Sequence, residues 1–328
     1  MASTNDLVSE ALSGSVRALA KLITMVENEM PGSTEVLQQL YPQTGHAYII
    51  GITGPPGSGK STLTDKITKE LRKKEYTVGI VAVDPSSPFS GGALLGDRLR
   101  MQDIANDEGV FVRSMATRGT LGGLSKATAD TVKILDAFGK DFILIETVGV
   151  GQDEVDIVRT ADTTLLISVP GMGDEIQALK AGIMEIGDIF VVNKADREGA
   201  DRLVTELSMM LDLNPLASPW RPPIIKTIAT MGEGIAELTQ KILEHRQFLE
   251  KGKGLQRKRN ERARGEIINL IEQEISKYIH KMLKYDLSFD QVIDQVVARK
   301  KDPYSYAQKI TEPFAKYYQI YKVDTPKN

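Results

Sequence analysis

Between Ala47 and about Leu249 the chain alternates short apolar, β-branched runs with longer stretches of helical periodicity. The apolar runs fall at 49–52, 78–83, 110–112, 142–145, 164–169, 189–192 and 224–225; the helical stretches at 60–74, 126–138, 175–186, 202–211 and 235–249. Buried strands that alternate with helices predict an α/β domain whose sheet is mostly parallel and covered on both faces. Ligands of such sheets sit beyond the carboxyl ends of the strands, so the segments that follow each run are where chemistry is expected.

Helical patterns flank this core. Leu12, Val16, Leu19, Ile23 and Val26 mark an amphipathic segment over 7–29, with Gly14 as the point at which it would split and Pro31-Gly32 as its end. A short helix over 33–41 follows, and the whole reads as an extension packed on the main domain. Lys251-Gly252-Lys253-Gly254 reads as a linker, after which Ile267, Ile268, Ile271, Ile275, Tyr278, Ile279 and Met282 stripe a long helix. Asp302-Pro303 is a cap-and-proline start for a later helix. The expected organisation is an N-terminal helical extension (1–46), a core domain (47–250) and a C-terminal helical arm (251–328).

Composition narrows the classes. A net charge of −3 supplies no basic field for nucleic acid. The cluster Arg257, Lys258, Arg259, Arg262 and Arg264 is interspersed with Glu261 and Glu266, and reads as a solvated helix face. Without cysteine there is no disulfide framework and no thiolate site, which fits a reducing compartment. The apolar runs are too short to span a bilayer and the N-terminus has no secretory pattern, so the cytoplasm is expected.

The candidate chemistry begins at Gly54-Pro55-Pro56-Gly57-Ser58-Gly59-Lys60-Ser61, which fits the phosphate-binding pattern G-x-x-x-x-G-K-[ST] between a strand and a helix. Such a loop points backbone N–H groups at one concavity, and the helix dipole favours an anion there. Gly54 through Thr62 are therefore assigned to the phosphates, with Lys60 reaching the β- and γ-phosphates and Ser61 a Mg²⁺ ion. Asp84 ends the second run near that ion, although an aspartate before proline also starts turns. Glu146-Thr147-Val148-Gly149 places a carboxylate at a strand end for Mg²⁺ and a glycine N–H for the γ-phosphate. Val150 stands where a water-orienting glutamine is often found, so slow unassisted hydrolysis is expected.

Asn193-Lys194-Ala195-Asp196 closes a later strand. Asp196 can accept from guanine N1–H and its 2-amino group, a pair that adenine does not offer. Thr227-Ile228-Ala229 lies where a backbone N–H can hold guanine O6. The nucleotide is expected to be GTP or GDP.

With these motifs in place, the sequence resembles the MeaB/ArgK-type P-loop GTPases, chaperones of methylmalonyl-CoA mutase and related adenosylcobalamin-dependent acyl-CoA mutases. The strings around Asp84 (Ala82 to Ser87), Asp97 (Gly96 to Met101), Glu146 (Glu146 to Gln152) and Gly173 to Lys180 carry the likeness, together with Ser13 to Ala20. The resemblance implies a P-loop GTPase that guards cobalamin loading and reactivation of the mutase. It also implies a magnesium neighbourhood of Ser61, Asp84, Asp97 and Glu146, and a C-terminal arm that forms a homodimer. Gln177 and Lys180 would lie in a segment that answers to nucleotide and mutase, supplying catalytic groups once the partner reorders it. Pro170, and Ile228 in place of the usual serine, depart from the family pattern. Two other readings remain on the same fold. One is a nickel-insertion metallochaperone, for which His46, His245 and His280 are too scattered and read as surface or packing residues. The other is a transport-system kinase, for which no acceptor-hydroxyl site is visible.

Overall fold

The computed structural model describes residues 4–84, 104, 106–116, 123–147, 160–171, 187–213, 219–286 and 288–320. After helices α1 (Thr4–Leu12), α2 (Val16–Glu27) and α3 (Ser33–Leu40), the core runs β1 (Tyr48–Thr53), α4 (Lys60–Lys73), β2 (Val78–Asp84), β3 (Val110–Ala116), α5 (Gly123–Ala137) and β4 (Phe142–Glu146). It continues through β5 (Thr163–Ser168), β6 (Ile189–Asn193), α6 (Ala200–Leu213), β7 (Ile224–Thr227) and α7 (Ile235–Lys251). Helices α8 (Gly254–Tyr285), α9 (Phe289–Val297) and α10 (Pro303–Ile320) follow. All seven strands pair in parallel, in the order β3-β2-β4-β1-β5-β6-β7. The expected helix over 175–186 lies outside the described residues.

The alternation along β1 shows why both faces are covered. Tyr48, Ile50 and Ile52 join Leu63, Ile67 and Leu71 of α4 and Leu238 and Ile242 of α7 in one core. Ile49 points the other way, into a second core with Val132 and Leu135 of α5 and Leu19, Leu22, Ile23 and Val36 of the N-terminal helices. Leu22 and Ile23 are fully buried, and each contributes about 1.5–3 kcal/mol by that burial. The N-terminal helices are thus part of the sheet's second layer. Gly14, with φ 94°, separates α1 from α2, and the side chain of Ser15 caps α2 by accepting from Ala18 N–H. On the same face, Leu203 and Leu207 of α6 cover Phe190 and Val192.

The compact units divide inside α8, between Arg262 and Ala263, and the turn Gly252-Lys253 joins α7 to α8. The basic cluster at the start of α8 corrects the expectation of a solvated face. Arg257 and Arg264 are exposed, but Lys258 Nζ donates to the Asp188 carboxylate (3.1 Å) and the Asp162 carbonyl (2.9 Å). Arg262 pairs with Asp162 at 2.6 Å, and Arg259 donates to the carbonyls of Gly45 and Ala47. The cause lies in the sheet: Asp162 and Asp188 stand just before β5 and β6, at the amino-terminal edge, and supply the anions.

In the C-terminal unit, Asp302 accepts from Ser305 N–H (2.8 Å) at the start of α10. The rings of Phe289 and Tyr306 stand 6.0 Å apart. Ile267, Ile268, Ile271, Ile275, Tyr278 and Met282 of α8 are exposed. Among the described residues no helix is long and apolar enough to cross a membrane.

Candidate functional site

β1 lies between β4 and β5, and the chain leaves it into the glycine loop at the sheet's carboxyl edge. Two glycines there are required by close approach. Gly54 has φ 144°, and a Cβ on it would collide with the Ile167 carbonyl of β5; Gly59 has φ 93°, and a Cβ on it would collide with Asn193 Nδ2. The loop is braced by side chains. Lys60 Nζ donates to the carbonyls of Gly54 (2.7 Å) and Pro55 (2.9 Å), and Lys194 Nζ to that of Gly57 (2.7 Å). Asn193 Nδ2 donates to the carbonyl of Ser58 (2.7 Å). Four carbonyls of the loop, those of Gly54, Pro55, Gly57 and Ser58, are thereby held by donors, and the amino end of α4 opens beside Lys60, where an anion is favoured. Pro56 is exposed in this loop, and Thr62 lies in the first turn of α4.

Glu146, the last residue of β4, is 7% exposed and reaches α4. Its Oε1 accepts from Ser61 Oγ at 2.5 Å and its Oε2 from Thr64 Oγ1 at 3.1 Å. Ser61 and Glu146, far apart in sequence, are therefore in contact. A hydroxyl and a carboxylate beside a phosphate loop form an oxygen-only set, which is what Mg²⁺ takes. Asp84 ends β2, paired in register with Ala116. Asp97, Gly149, Gln177 and Lys180 lie outside the described residues, as does Val150.

The base-side motifs meet at Asn193, which is 2% exposed. Its Oδ1 accepts from Thr227 Oγ1 (3.1 Å) and from Ala229 N–H (3.2 Å), while its Nδ2 holds the phosphate loop. Asn193 is thus a brace between two loops. The Ala229 amide, expected to face guanine O6, donates to Asn193 in this structure, and Ile228 N–H donates to the Glu233 carbonyl (3.1 Å). Lys194 occupies the left-handed region with φ 56°, a conformation that costs a lysine roughly 1–2 kcal/mol and turns the chain toward Asp196. Asp196 is exposed and forms no hydrogen bond or ion pair among the described residues, so its carboxylate is available.

Sequence reasoning missed Thr64. The signal was present: Thr64 is four residues after Lys60 and three after Ser61, which puts all three on neighbouring positions of one helix face. Of the histidines, His46 and His280 are exposed, and His245 is buried against Trp220 with its Nδ1 on Thr163 Oγ1 (2.8 Å).

Comparison with known proteins agrees with this arrangement. A Pyrococcus abyssi protein assigned to the GTPases by name is 53% identical over 309 residues, covering 93% of this chain and 95% of that one. The mouse mitochondrial methylmalonic aciduria type A homolog is 34% identical over 292 residues, covering 83% and 70%. The crystal structure of an LAO/AO transport system kinase superposes with a TM-score of 0.72 at 25% identity, covering 95% of this chain and 97% of that chain. The family model for the methylmalonyl-CoA mutase-associated GTPase MeaB matches residues 19–283. The chain belongs to the MeaB family of P-loop GTPases.

Proposed function

We propose that this protein binds GTP with Mg²⁺, hydrolyses it to GDP and phosphate, and serves as chaperone and gatekeeper for adenosylcobalamin loading and reactivation of an acyl-CoA mutase such as methylmalonyl-CoA mutase. The observation that carries the hydrolase reading is the contact of Ser61 with Glu146 at the amino end of α4, next to Lys60. The mutase reading rests on the family and on the mouse relative.

Each residue has a definite task in this reading. The loop amides and α4 dipole receive the phosphates, and Lys60 exchanges its two carbonyl acceptors for β- and γ-phosphate oxygens. Ser61 and Glu146 hold Mg²⁺, together with Asp84 and Asp97. The chemistry a bound Mg²⁺ supplies is neutralisation of charge on the phosphate oxygens. Asp196 selects guanine through two donors, while Asn193 keeps the phosphate loop and the Thr227–Ala229 turn in a fixed relation. Gln177 and Lys180 complete the catalytic set when the mutase engages. The exposed stripe of α8 forms a homodimer, with the arm proposed to begin near residue 251, and the protein acts in the cytoplasm.

The test measures phosphate release alone and with the cognate mutase. Slow basal release that rises when the mutase is added, and is lost in Lys60→Ala, supports the proposal. Gln177→Ala and Lys180→Ala should retain the basal rate and lose the rise. Lys60→Ala hydrolysing GTP normally would remove the hydrolase reading, a mutase that binds without stimulation would remove the role of Gln177 and Lys180 as groups completed by the partner, and a mutase that does not bind would remove the partner reading. Phosphate found on protein instead of in solution would favour a kinase, the activity named for the superposed crystal structure.

A further inference from the structure

We infer that Thr64 is a positioning residue for Glu146, fixing the torsion at which its carboxylate faces Ser61 and the cation. This rests on the reading of the site as an Mg²⁺-dependent nucleotide site. Thr64 is fully buried on α4, one turn after Lys60. Its hydroxyl stands 2.9 Å from the Lys60 carbonyl and 3.1 Å from Glu146 Oε2. A hydroxyl has one proton, so the two acceptors share it. Mid-helix threonines commonly bond only the carbonyl one turn back, as Thr68 does to Thr64 at 2.7 Å. Thr64 differs because β4 brings a carboxylate within reach of the same hydroxyl.

The geometry makes the two oxygens of Glu146 unequal. Oε2 is anchored to a group with no freedom, on a helix packed into the core by Leu63 and Ile67. Oε1 is left on Ser61, at the edge where the phosphates arrive. A carboxylate beside a metal works in the orientation its own partners impose, and loss of such partners typically lowers metal affinity by 10–100-fold. Without the Thr64 hydroxyl, the Glu146 carboxylate would turn about its last torsion, and its plane would no longer be fixed toward Ser61. The phosphate loop would be untouched, because its braces are Lys60, Lys194 and Asn193.

The experiment follows the affinity of a fluorescent GDP analogue across a Mg²⁺ titration, in the full chain and in Thr64→Val, Thr64→Ala and Thr64→Ser. Valine keeps the shape and removes the hydroxyl; serine keeps the hydroxyl. The expected result is a Mg²⁺ midpoint raised about tenfold in the valine and alanine variants. Affinity in EDTA should be unchanged, and the serine variant should return the midpoint toward the parent's. A parental midpoint in both hydroxyl-free variants overturns the inference. So does a fall of EDTA affinity in either, which would make Thr64 a support of the phosphate loop. If the parent chain binds GDP without any response to Mg²⁺, the underlying reading of the site fails and takes the inference with it.

Discussion

Replacing Arg262 by methionine isolates what holds the root of α8. The arginine pairs at 2.6 Å with Asp162, whose side chain has no exposure while that of Arg262 has 23%. At an effective dielectric of about 20, that separation corresponds to roughly 6 kcal/mol of gross attraction. Breaking a buried pair by deleting one partner costs about 3–5 kcal/mol, because the other charge stays buried. Two features here favour the lower end. Asp162 keeps the Ile49 N–H at 2.9 Å, and the Lys258 ammonium sits on the Asp162 carbonyl at 2.9 Å. Methionine retains an apolar stem, so little packing is lost. About 3 kcal/mol is expected, which in a domain of this size lowers Tm by roughly 6–12 °C. Thermal unfolding followed by circular dichroism would measure it. Arg202→Met breaks an exposed pair with Glu206, in which the arginine side chain is 84% exposed, and should change stability by less than about 1 kcal/mol. The double variant Arg262→Met with Asp162→Asn should recover part of the loss, since no unpaired charge remains. If Arg262→Met melts within the range of Arg202→Met, the pair does not anchor α8.

Burial pushes the His245 imidazole down to about 4, against the opposing pull of Asp188 and with Lys258 adding to the depression. The folded protein then binds its proton later than the unfolded chain does, so stability is full above pH 6.5 and falls between 6.5 and 4, by on the order of 3 kcal/mol. Denaturation midpoints across that range should show the fall in the parent and a flatter profile in His245→Gln; equal slopes would refute the assignment. For the base, Asp196→Asn should weaken GTP at least about tenfold and favour xanthosine triphosphate, whose 2-oxo group accepts from the new amide. Equal affinity of the unmodified protein for GTP and ATP would count against Asp196 as the selector.

The strands and the phosphate loop were legible because their signals are local. Buried parallel strands read as continuous apolar runs, and a strand, a glycine loop and a helix stand in one uninterrupted segment from Tyr48 to Lys73. The glycines could be placed by motif, although the reasons for Gly54 and Gly59 lie in β5 and Asn193, which only the sheet brings near. Asn193 shows the limit of motif reading. It was found by its neighbours Lys194 and Asp196, yet its own bonds go to Ser58 in one segment and to Thr227 and Ala229 in another, both far from it in sequence. Thr64 escaped notice for a related reason: helical spacing reveals its face, but not that β4 ends on a carboxylate opposite it.

The basic residues of α8 were misread because a charge run declares nothing about what covers it. Asp162 and Asp188 look like ordinary turn residues before strands, and only the order β1-β5-β6 sets them side by side beneath Lys258 and Arg262. This has a functional consequence. The same strand β1 carries Tyr48 at one end, bonded to Thr163 at 2.5 Å, and leads into Gly54 at the other, roughly 20 Å away at about 3.3 Å per residue. Anchoring charges therefore gather at the amino edge of the sheet, while the nucleotide groups gather at the carboxyl edge. Changes at Asp162, Asp188 or His245 should be read in melting and pH profiles, and changes at Lys60, Ser61 or Asp196 in ligand affinity. A variant at the amino edge that weakened GDP binding without lowering stability would mean that the two edges communicate through β1 or β5, and a rigid sheet would no longer describe this domain.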